Sequence, residues 1–91
     1  LVSVRERIAA ALSNQGIAIP EPQGNFVWLA TGEHTVAAGE VLSEHGIVAR
    51  VFPGDGIRVS VGEPESVDKL LDATAELVRT LPQGLPSAGL G

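Results

Sequence analysis

Residues 47–62 read IVARVFPGDGIRVSVG, two short runs rich in β-branched residues on either side of a turn-forming segment. Proline and glycine dominate the segment PGDG at 53–56, so the stretch predicts two strands joined as an antiparallel hairpin. Side chains alternate between the two faces of a strand. One face of the second strand is therefore expected to be apolar and to lie under the helices, with Ile57, Val59 and Val61.

The opposite face of this hairpin is predicted to carry two arginines. Antiparallel pairing brings Arg50 and Arg58 to the same side of the sheet, where burial without an anion would be costly. A guanidinium group forms a bidentate fork with a carboxylate or a phosphate, so the pair suggests a recognition surface. The alternative from the residues alone is an ordinary pair of edge arginines bonded to acidic side chains such as Asp55 or Glu63.

Helical patterns precede and follow the hairpin. Ser3 and Glu6 form a capping box at the start of a first helix, and Gly16 is placed to end it. A second helix is predicted from Thr35, as its N-cap, to Gly46. A last helix begins at Glu63 and Pro64, and its predicted apolar face consists of Val67, Leu70, Leu71, Thr74, Leu77 and Val78.

The segment NFVWLAT at 25–31 is aromatic and β-branched, and apolar on both faces, which favours a central strand covered on two sides. Trp28 is interpreted as a core residue. The order α-β-α-β-β-α predicts an α+β fold, a small three-stranded, mainly antiparallel sheet with helices packed on one face. We expect one domain over residues 1–80, followed by a flexible tail over the Gly/Pro-rich residues 81–91.

Composition excludes several classes of function. The chain has 91 residues, a formal net charge of −5, 44% hydrophobic residues and no cysteine. Without clustered Lys and Arg it is a poor candidate for binding nucleic acid or anionic membranes, and it contains no spanning apolar run. Two isolated histidines, His34 and His45, are too few for a histidine-rich metal site, so we expect no metal. A signal-peptide pattern is missing, which favours a cytoplasmic protein, and the lack of methionine suggests a fragment of a longer chain.

The ordered set of motifs resembles a known family. The stretches NFVWL and LSEHGIVARVFPGDGIRVSVGEPESVDKLLDA are similar to the C-terminal small domain of the pyridoxal-phosphate-dependent aminotransferases of fold type I. The branch with the greatest similarity is that of the histidinol-phosphate and aromatic amino acid aminotransferases. The resemblance covers about residues 4–79, nearly the whole chain.

The resemblance implies a role for three residues. Arg58 matches the arginine that binds the substrate α-carboxylate, and Arg50 matches an arginine near the substrate side chain that can contact a phosphate. Asn25 matches the first residue of the NF motif, close to the substrate pocket, although an asparagine before a strand is also a common turn former. The resemblance further implies pyridoxal 5'-phosphate as cofactor, amino-acid and 2-oxo-acid substrates, and a homodimeric intact enzyme.

The chain departs from the family pattern where the cofactor would be held. Its only lysine, Lys69, falls on the last helix without a Gly-rich surround, and there is no tyrosine. We therefore expect no catalytic and no cofactor-binding residue in this segment, which alone would be inactive. The second hypothesis is a free-standing binding or regulatory module that binds small acids such as amino acids, or a partner protein, through the face of Arg50 and Arg58. A third is a segment that only dimerises. His45 is interpreted as a helix-end residue and His34 as an exposed turn residue.

Overall fold

The computed structural model describes residues 4–20 and 24–85. Its three α-helices are α1 (Val4–Asn14), α2 (Thr35–Glu44) and α3 (Pro64–Thr80), and its three strands are β1 (Phe26–Leu29), β2 (Ala49–Phe52) and β3 (Gly56–Ser60). Short 3-10 helices cover Gly32–His34 and Pro82–Gly84. This order confirms the predicted α-β-α-β-β-α arrangement and the α+β class. The predicted capping box lies outside the described residues, because it depends on Ser3.

Glycine ends the first two helices in the same way. Gly16 has φ +88° and Gly46 has φ +73°, a left-handed conformation that costs little for a residue without Cβ. After each glycine the next amide donates back to the helix, Ile17 to the carbonyl of Leu12 at 2.9 Å and Ile47 to that of Leu42 at 3.1 Å. These are the contacts of a Schellman motif, and both predicted helix ends are confirmed.

The helix starts agree less closely with the predictions. Glu63 is the N-cap of α3 and Pro64 its first residue, as expected. For α2, however, the N-cap is His34, and Thr35 is already helical. The Thr35 hydroxyl donates to the carbonyl of Gly32 at 2.7 Å and contacts the Thr31 hydroxyl at 2.7 Å. The preceding 3-10 turn thus uses the side chain that the sequence suggested as a cap, and the predicted N-cap was wrong by one residue.

The sheet has the strand order β1-β3-β2, and both pairings are antiparallel. β3 is therefore the central strand, and β1 lies at an edge. The prediction that residues 25–31 form a central strand covered on two sides was wrong. Leu29 and Val27 on one face of β1 are fully buried, whereas Phe26 on the other face is 39% exposed. An apolar residue on each face identified a strand but did not fix its place in the sheet.

The core lies between the helices and one face of the sheet, as the fold class predicts. Helical residues such as Ile8, Leu42 and Leu70 pack with the sheet residues Ile57 and Val59, all fully buried. On α3 the buried face is Val67, Leu70, Ala73, Thr74 and Leu77. Val78, which was predicted to belong to it, is 36% exposed instead. The buried face of α3 is therefore centred closer to Ala73 than the sequence predicted.

A polar contact joins Gln15, the residue after α1, to the last helix. The Thr74 hydroxyl donates to Gln15 Oε1 at 2.6 Å, and Gln15 Nε2 donates to the carbonyl of Leu71 at 3.2 Å. Thr74 is fully buried, so its bond to Gln15 satisfies a hydroxyl that would otherwise be costly to remove from water. This contact holds α1 against α3.

After α3 the chain turns back towards the start of α2. Pro82–Gly84 form a 3-10 turn, and Gly84 is so close to His34 that an added Cβ would lie 2.8 Å from that side chain's Cβ. His34 is only partly exposed in this position. The boundary between a domain at 1–80 and a tail at 81–91 stays a prediction.

Candidate functional site

The hairpin sets the spacing of the two arginines. Arg50 on β2 and Arg58 on β3 are direct cross-strand partners. The connection has Pro53 followed by Gly54 with φ +85°, and the Asp55 amide donates to the carbonyl of Phe52 at 2.9 Å. This is the arrangement of a type II turn. The prediction that both arginines share one sheet face is confirmed.

Aromatic side chains surround the arginines on this side of the sheet. We call the surface of Phe26, Trp28, Arg50, Phe52 and Arg58 the arginine face. The guanidinium carbon of Arg58 lies over the Phe26 ring, 4.5 Å from its centroid, and that of Arg50 lies 5.4 Å from the centroid of Phe52. Both distances are within the range of cation–π attraction. Phe26 and Phe52 were not predicted as site residues, although Phe52 stands two residues after Arg50 and shares its face.

Trp28 lies on the arginine face rather than in the core, so its interpretation as a core residue was wrong. It pairs with Arg58 in the sheet register, and its ring lies 5.8 Å from that of Phe52, centroid to centroid. The ring covers Gly56 closely, since a Cβ added there would be 2.5 Å from an indole carbon. The absence of a side chain at Gly56 is what allows Trp28 to reach across β3 towards Phe52. Trp28 is half-buried as a result.

Neither arginine is neutralised by a described carboxylate. Both side chains are exposed, and no ion pair joins either of them to an acidic residue within 4–20 and 24–85. The alternative of edge arginines bonded to Asp55 or Glu63 is thus not supported in this part of the chain. Two guanidinium groups with accessible N–H donors can bind a carboxylate or a phosphate directly.

Asn25 lies at the turn that leads into β1, beside Phe26. Its carbonyl accepts the Val61 amide at 2.8 Å, and its side chain lies next to Gly62, 3.6 Å from where a Cβ would be. The residue is exposed. The backbone bond shows that Asn25 extends the pairing of β1 with the chain that follows β3. A contact between its side chain and a substrate stays a prediction.

The histidines and the lysine that were considered from the sequence are not among the residues of the arginine face. His45 Nε2 lies 2.9 Å from Glu76 Oε1 and so connects the end of α2 to α3. Lys69 is exposed and lines a cleft of about 150 Å³ with Glu63, Glu65 and Ser66 among its other walls. Nε2 of His34 lies 3.7 Å from Oε1 of its neighbour Glu33. These contacts fit the structural roles assigned to His45 and Lys69 from the sequence.

No cluster of three or more His, Cys, Asp or Glu side chains that could hold a metal ion occurs in the described part of the chain. Within the same residues, no helix combines the length and the apolar character that crossing a bilayer requires.

No family model matches the sequence, but individual relatives do. An aromatic amino acid aminotransferase of Streptomyces coelicolor is 46% identical over 81 residues, which is 89% of this chain and 23% of that protein. One of Thermobifida fusca is 42% identical over 82 residues, covering 90% of the chain and 22% of the relative. One of Corynebacterium jeikeium is 41% identical, covering 98% of the chain and 24% of the relative.

The chain thus spans less than a quarter of the length of these relatives. The match extends over the strands that carry both arginines, since it leaves about a tenth of the chain unaligned. The resemblance drawn from the sequence motifs is confirmed: over nearly all of its length, this chain is homologous to a segment of the aromatic amino acid aminotransferases.

Proposed function

We propose that the chain is the substrate-binding small domain of a pyridoxal-phosphate-dependent aminotransferase, which moves an amino group from an aromatic amino acid to a 2-oxo acid. The observation that carries this proposal is Arg58, exposed in the middle of β3 and unpaired with any described carboxylate. The names of the relatives support the reaction class. The α-carboxylate is the anion that amino-acid substrates share.

In this proposal Arg58 binds the α-carboxylate through two parallel N–H donors. A bidentate bond fixes two atoms of the substrate, so it orients the Cα–H bond as well as holding the molecule. Arg50, the cross-strand partner, lies next to the substrate side chain and influences which side chains are accepted. Asn25, directly before the start of β1, contacts the substrate through its side chain.

The described residues do not fit the cofactor itself. Pyridoxal phosphate chemistry uses a lysine for the Schiff base. The single lysine, Lys69, is exposed and shares its cleft with Glu63 and Glu65, whose charges disfavour a phosphate. We therefore assign the cofactor and its lysine to the remainder of a longer polypeptide, and the segment alone is proposed to be inactive.

Two kinds of amino donor are compatible with this proposal. The relatives' names favour an aromatic amino acid. Histidinol phosphate is the alternative, because Arg50 is able to bind a phosphate group as readily as a carboxylate. Steady-state kinetics of the full-length polypeptide with L-phenylalanine and with histidinol phosphate as amino donors distinguish the two. Kinetics that strongly favour the phosphate ester would reassign the branch.

Arg58→Lys in the full-length polypeptide tests the carboxylate assignment. Lysine keeps the charge but loses the bidentate fork, so kcat/KM should fall tens-fold or more for every amino-acid donor, as expected for a bond of about 2 kcal/mol. Arg79→Lys is the matched control, because Arg79 is exposed in the last turn of α3. Equal kinetics for the two variants would remove Arg58 from the site.

The proposal also includes a homodimeric, cytoplasmic parent enzyme, as the family resemblance implies. Light scattering of the full-length polypeptide measures its mass in solution. A monomer that retains full transaminase activity would contradict the dimeric part of the proposal, without affecting the role of Arg58.

A free-standing amino-acid-binding module is the second candidate, and the exposure of both arginines favours it. Calorimetric titration of the 91-residue chain with L-phenylalanine, without cofactor, separates the two functions. An aminotransferase domain needs the rest of the enzyme to complete its pocket, so it should bind weakly or not at all. Micromolar binding that is lost in Arg58→Lys would favour the module.

A further inference from the structure

Phe26 occupies a position that the hydrophobic core does not explain. Its ring is 39% exposed, whereas the next residue, Val27, is fully buried against the helices. An exposed phenylalanine gains little from burial of apolar area, and on a sheet edge it favours association with other strands. What the ring contacts within the described residues therefore bears on why an aromatic side chain stands at this position.

That contact is the guanidinium group of Arg58. In the sheet register Phe26 pairs with Ser60, and Arg58 pairs with Trp28. The guanidinium carbon of Arg58 nevertheless lies 4.5 Å from the Phe26 centroid, so the two side chains meet diagonally across the pairing of β1 with β3. Trp28, the direct partner, has its ring over Gly56 instead. The space beside Arg58 is left to Phe26.

A ring beneath a guanidinium group restricts it without using its hydrogen-bond donors. Cation–π attraction acts on the face of the planar group, while its N–H groups point outwards from the edge. An exposed arginine otherwise samples many rotamers, and this freedom is lost when a ligand binds. Holding the side chain in advance reduces that cost.

We infer that Phe26 is a positioning residue: it holds the guanidinium group of Arg58 in the orientation that receives the substrate carboxylate. This inference rests on the proposed role of Arg58. Phe52 and Arg50 give an internal comparison. The guanidinium carbon of Arg50 lies 5.4 Å from the Phe52 centroid, farther than that of Arg58 from Phe26, and Phe52 also packs against Trp28. Loss of the Phe26 ring should therefore weaken binding of the substrate carboxylate and should not change the preference for particular substrate side chains.

The test is Phe26→Leu in the full-length polypeptide, with L-phenylalanine and L-leucine as amino donors. Losing the ring should raise KM for both donors by about 3- to 30-fold, the range that cation–π energies correspond to, with kcat changed much less. Phe26→Tyr keeps an aromatic face and should restore KM to within about 2-fold of the original. Unchanged KM in Phe26→Leu, or no recovery in Phe26→Tyr, would overturn the inference.

A double variant separates this inference from the proposed function. If Phe26 acts through Arg58, adding Phe26→Leu to Arg58→Lys should change KM less than 2-fold further, since the two residues form one unit. Full additivity would show that Phe26 acts independently of Arg58 and would overturn the inference. If Arg58→Lys alone leaves kcat/KM unchanged, the proposed function fails, whatever Phe26 does.

A spectroscopic measurement on the 91-residue chain gives a readout that a purely structural role would not move. Aromatic ring currents shift the NMR signals of the Arg58 side chain while the guanidinium group lies over Phe26. Those shifts should disappear in Phe26→Leu and persist in Phe26→Tyr, with amide signals of the core residues unchanged. Identical Arg58 side-chain signals in the original chain and in Phe26→Leu would contradict the contact.

Discussion

Arg50 and Arg58 face each other directly across the pairing of β2 with β3, on a surface where no described carboxylate separates them. Like charges at opposed positions of a sheet reduce its stability. Each group is partly compensated by an aromatic ring, Phe52 for Arg50 and Phe26 for Arg58. This cost to folding is consistent with the proposed role of the pair in binding an anion.

The first prediction concerns this repulsion. Arg50→Thr removes one charge and introduces a good strand former, while the loss of the contact with Phe52 offsets part of the gain, so the free energy of unfolding should rise by less than about 0.5 kcal/mol at low salt. Added salt screens exposed charges and should reduce the difference. Urea unfolding at low and high NaCl measures both effects. A loss of stability that grows at low salt would mean that Arg50 has an acidic partner.

The second prediction concerns the close approach of Trp28 to β3. In Gly56→Ala the new Cβ would lie 2.4 Å from the carbonyl oxygen of Leu29 and 2.5 Å from the indole ring, so backbone and ring must both shift. Overpacking of this kind costs about 1–3 kcal/mol, and tryptophan fluorescence should change with it.

Gly62→Ala is the control for that substitution. A Cβ at Gly62 would have its nearest neighbour, in the Asn25 side chain, at 3.6 Å, which is ordinary contact. Its free energy of unfolding and its fluorescence should stay close to those of the original chain. Equal stabilities of the two alanine variants would show that Trp28 does not need the space above Gly56.

The third prediction concerns the polar contact between α1 and α3. Thr74→Val keeps the shape of a fully buried side chain but removes the donor to Gln15 Oε1, so unfolding should become easier by about 1–3 kcal/mol. Gln15→Leu with Thr74→Val removes both partners and should recover part of that loss. A fully additive double variant would show that the two residues do not act through their hydrogen bond.

The fourth prediction has two opposing contributions. Gly39→Ala improves the helix propensity of α2 by about 0.8–1 kcal/mol. Its Cβ would lie 3.0 Å from Cγ2 of Val51, but that side chain is 40% exposed at the sheet edge and has room to move. We expect a net gain in the free energy of unfolding, measured by thermal or urea unfolding. A net loss would mean that Val51 is fixed, and Val51→Ala should then restore the gain.

The features that the sequence could predict depend on neighbours along the chain. Alternation along β3 predicted that Arg58 lies on the sheet face opposite to that of Ile57 and Val59. The turn residues between 52 and 56 predicted that Arg50 lies beside it. Glycine at 16 and 46 identified two helix ends for the same reason, because the left-handed conformation is a local requirement. Features of this kind can be predicted without knowing which strands pair with each other.

Features that depend on distant pairing could not be predicted in this way. β1 is separated from β3 by α2 and β2, and nothing in NFVWL indicates that it pairs on the outer side of β3. With β1 assumed to be central, Trp28 was expected to be covered, and its contact with Gly56 was missed. Phe26 was missed as a neighbour of Arg58 because the two residues are 32 positions apart and meet only through that pairing.

The three-residue connection between Phe52 and Gly56 has a consequence for how this protein tolerates change. It fixes the register in which Arg50 and Arg58 are direct cross-strand partners, through a single short loop closure. Substitutions in the helical layer should therefore alter how often the domain unfolds while leaving the pairing register of Arg50 with Arg58 intact whenever it is folded. Sequence change in the core and the register of the two arginines are thus largely independent of each other in this domain.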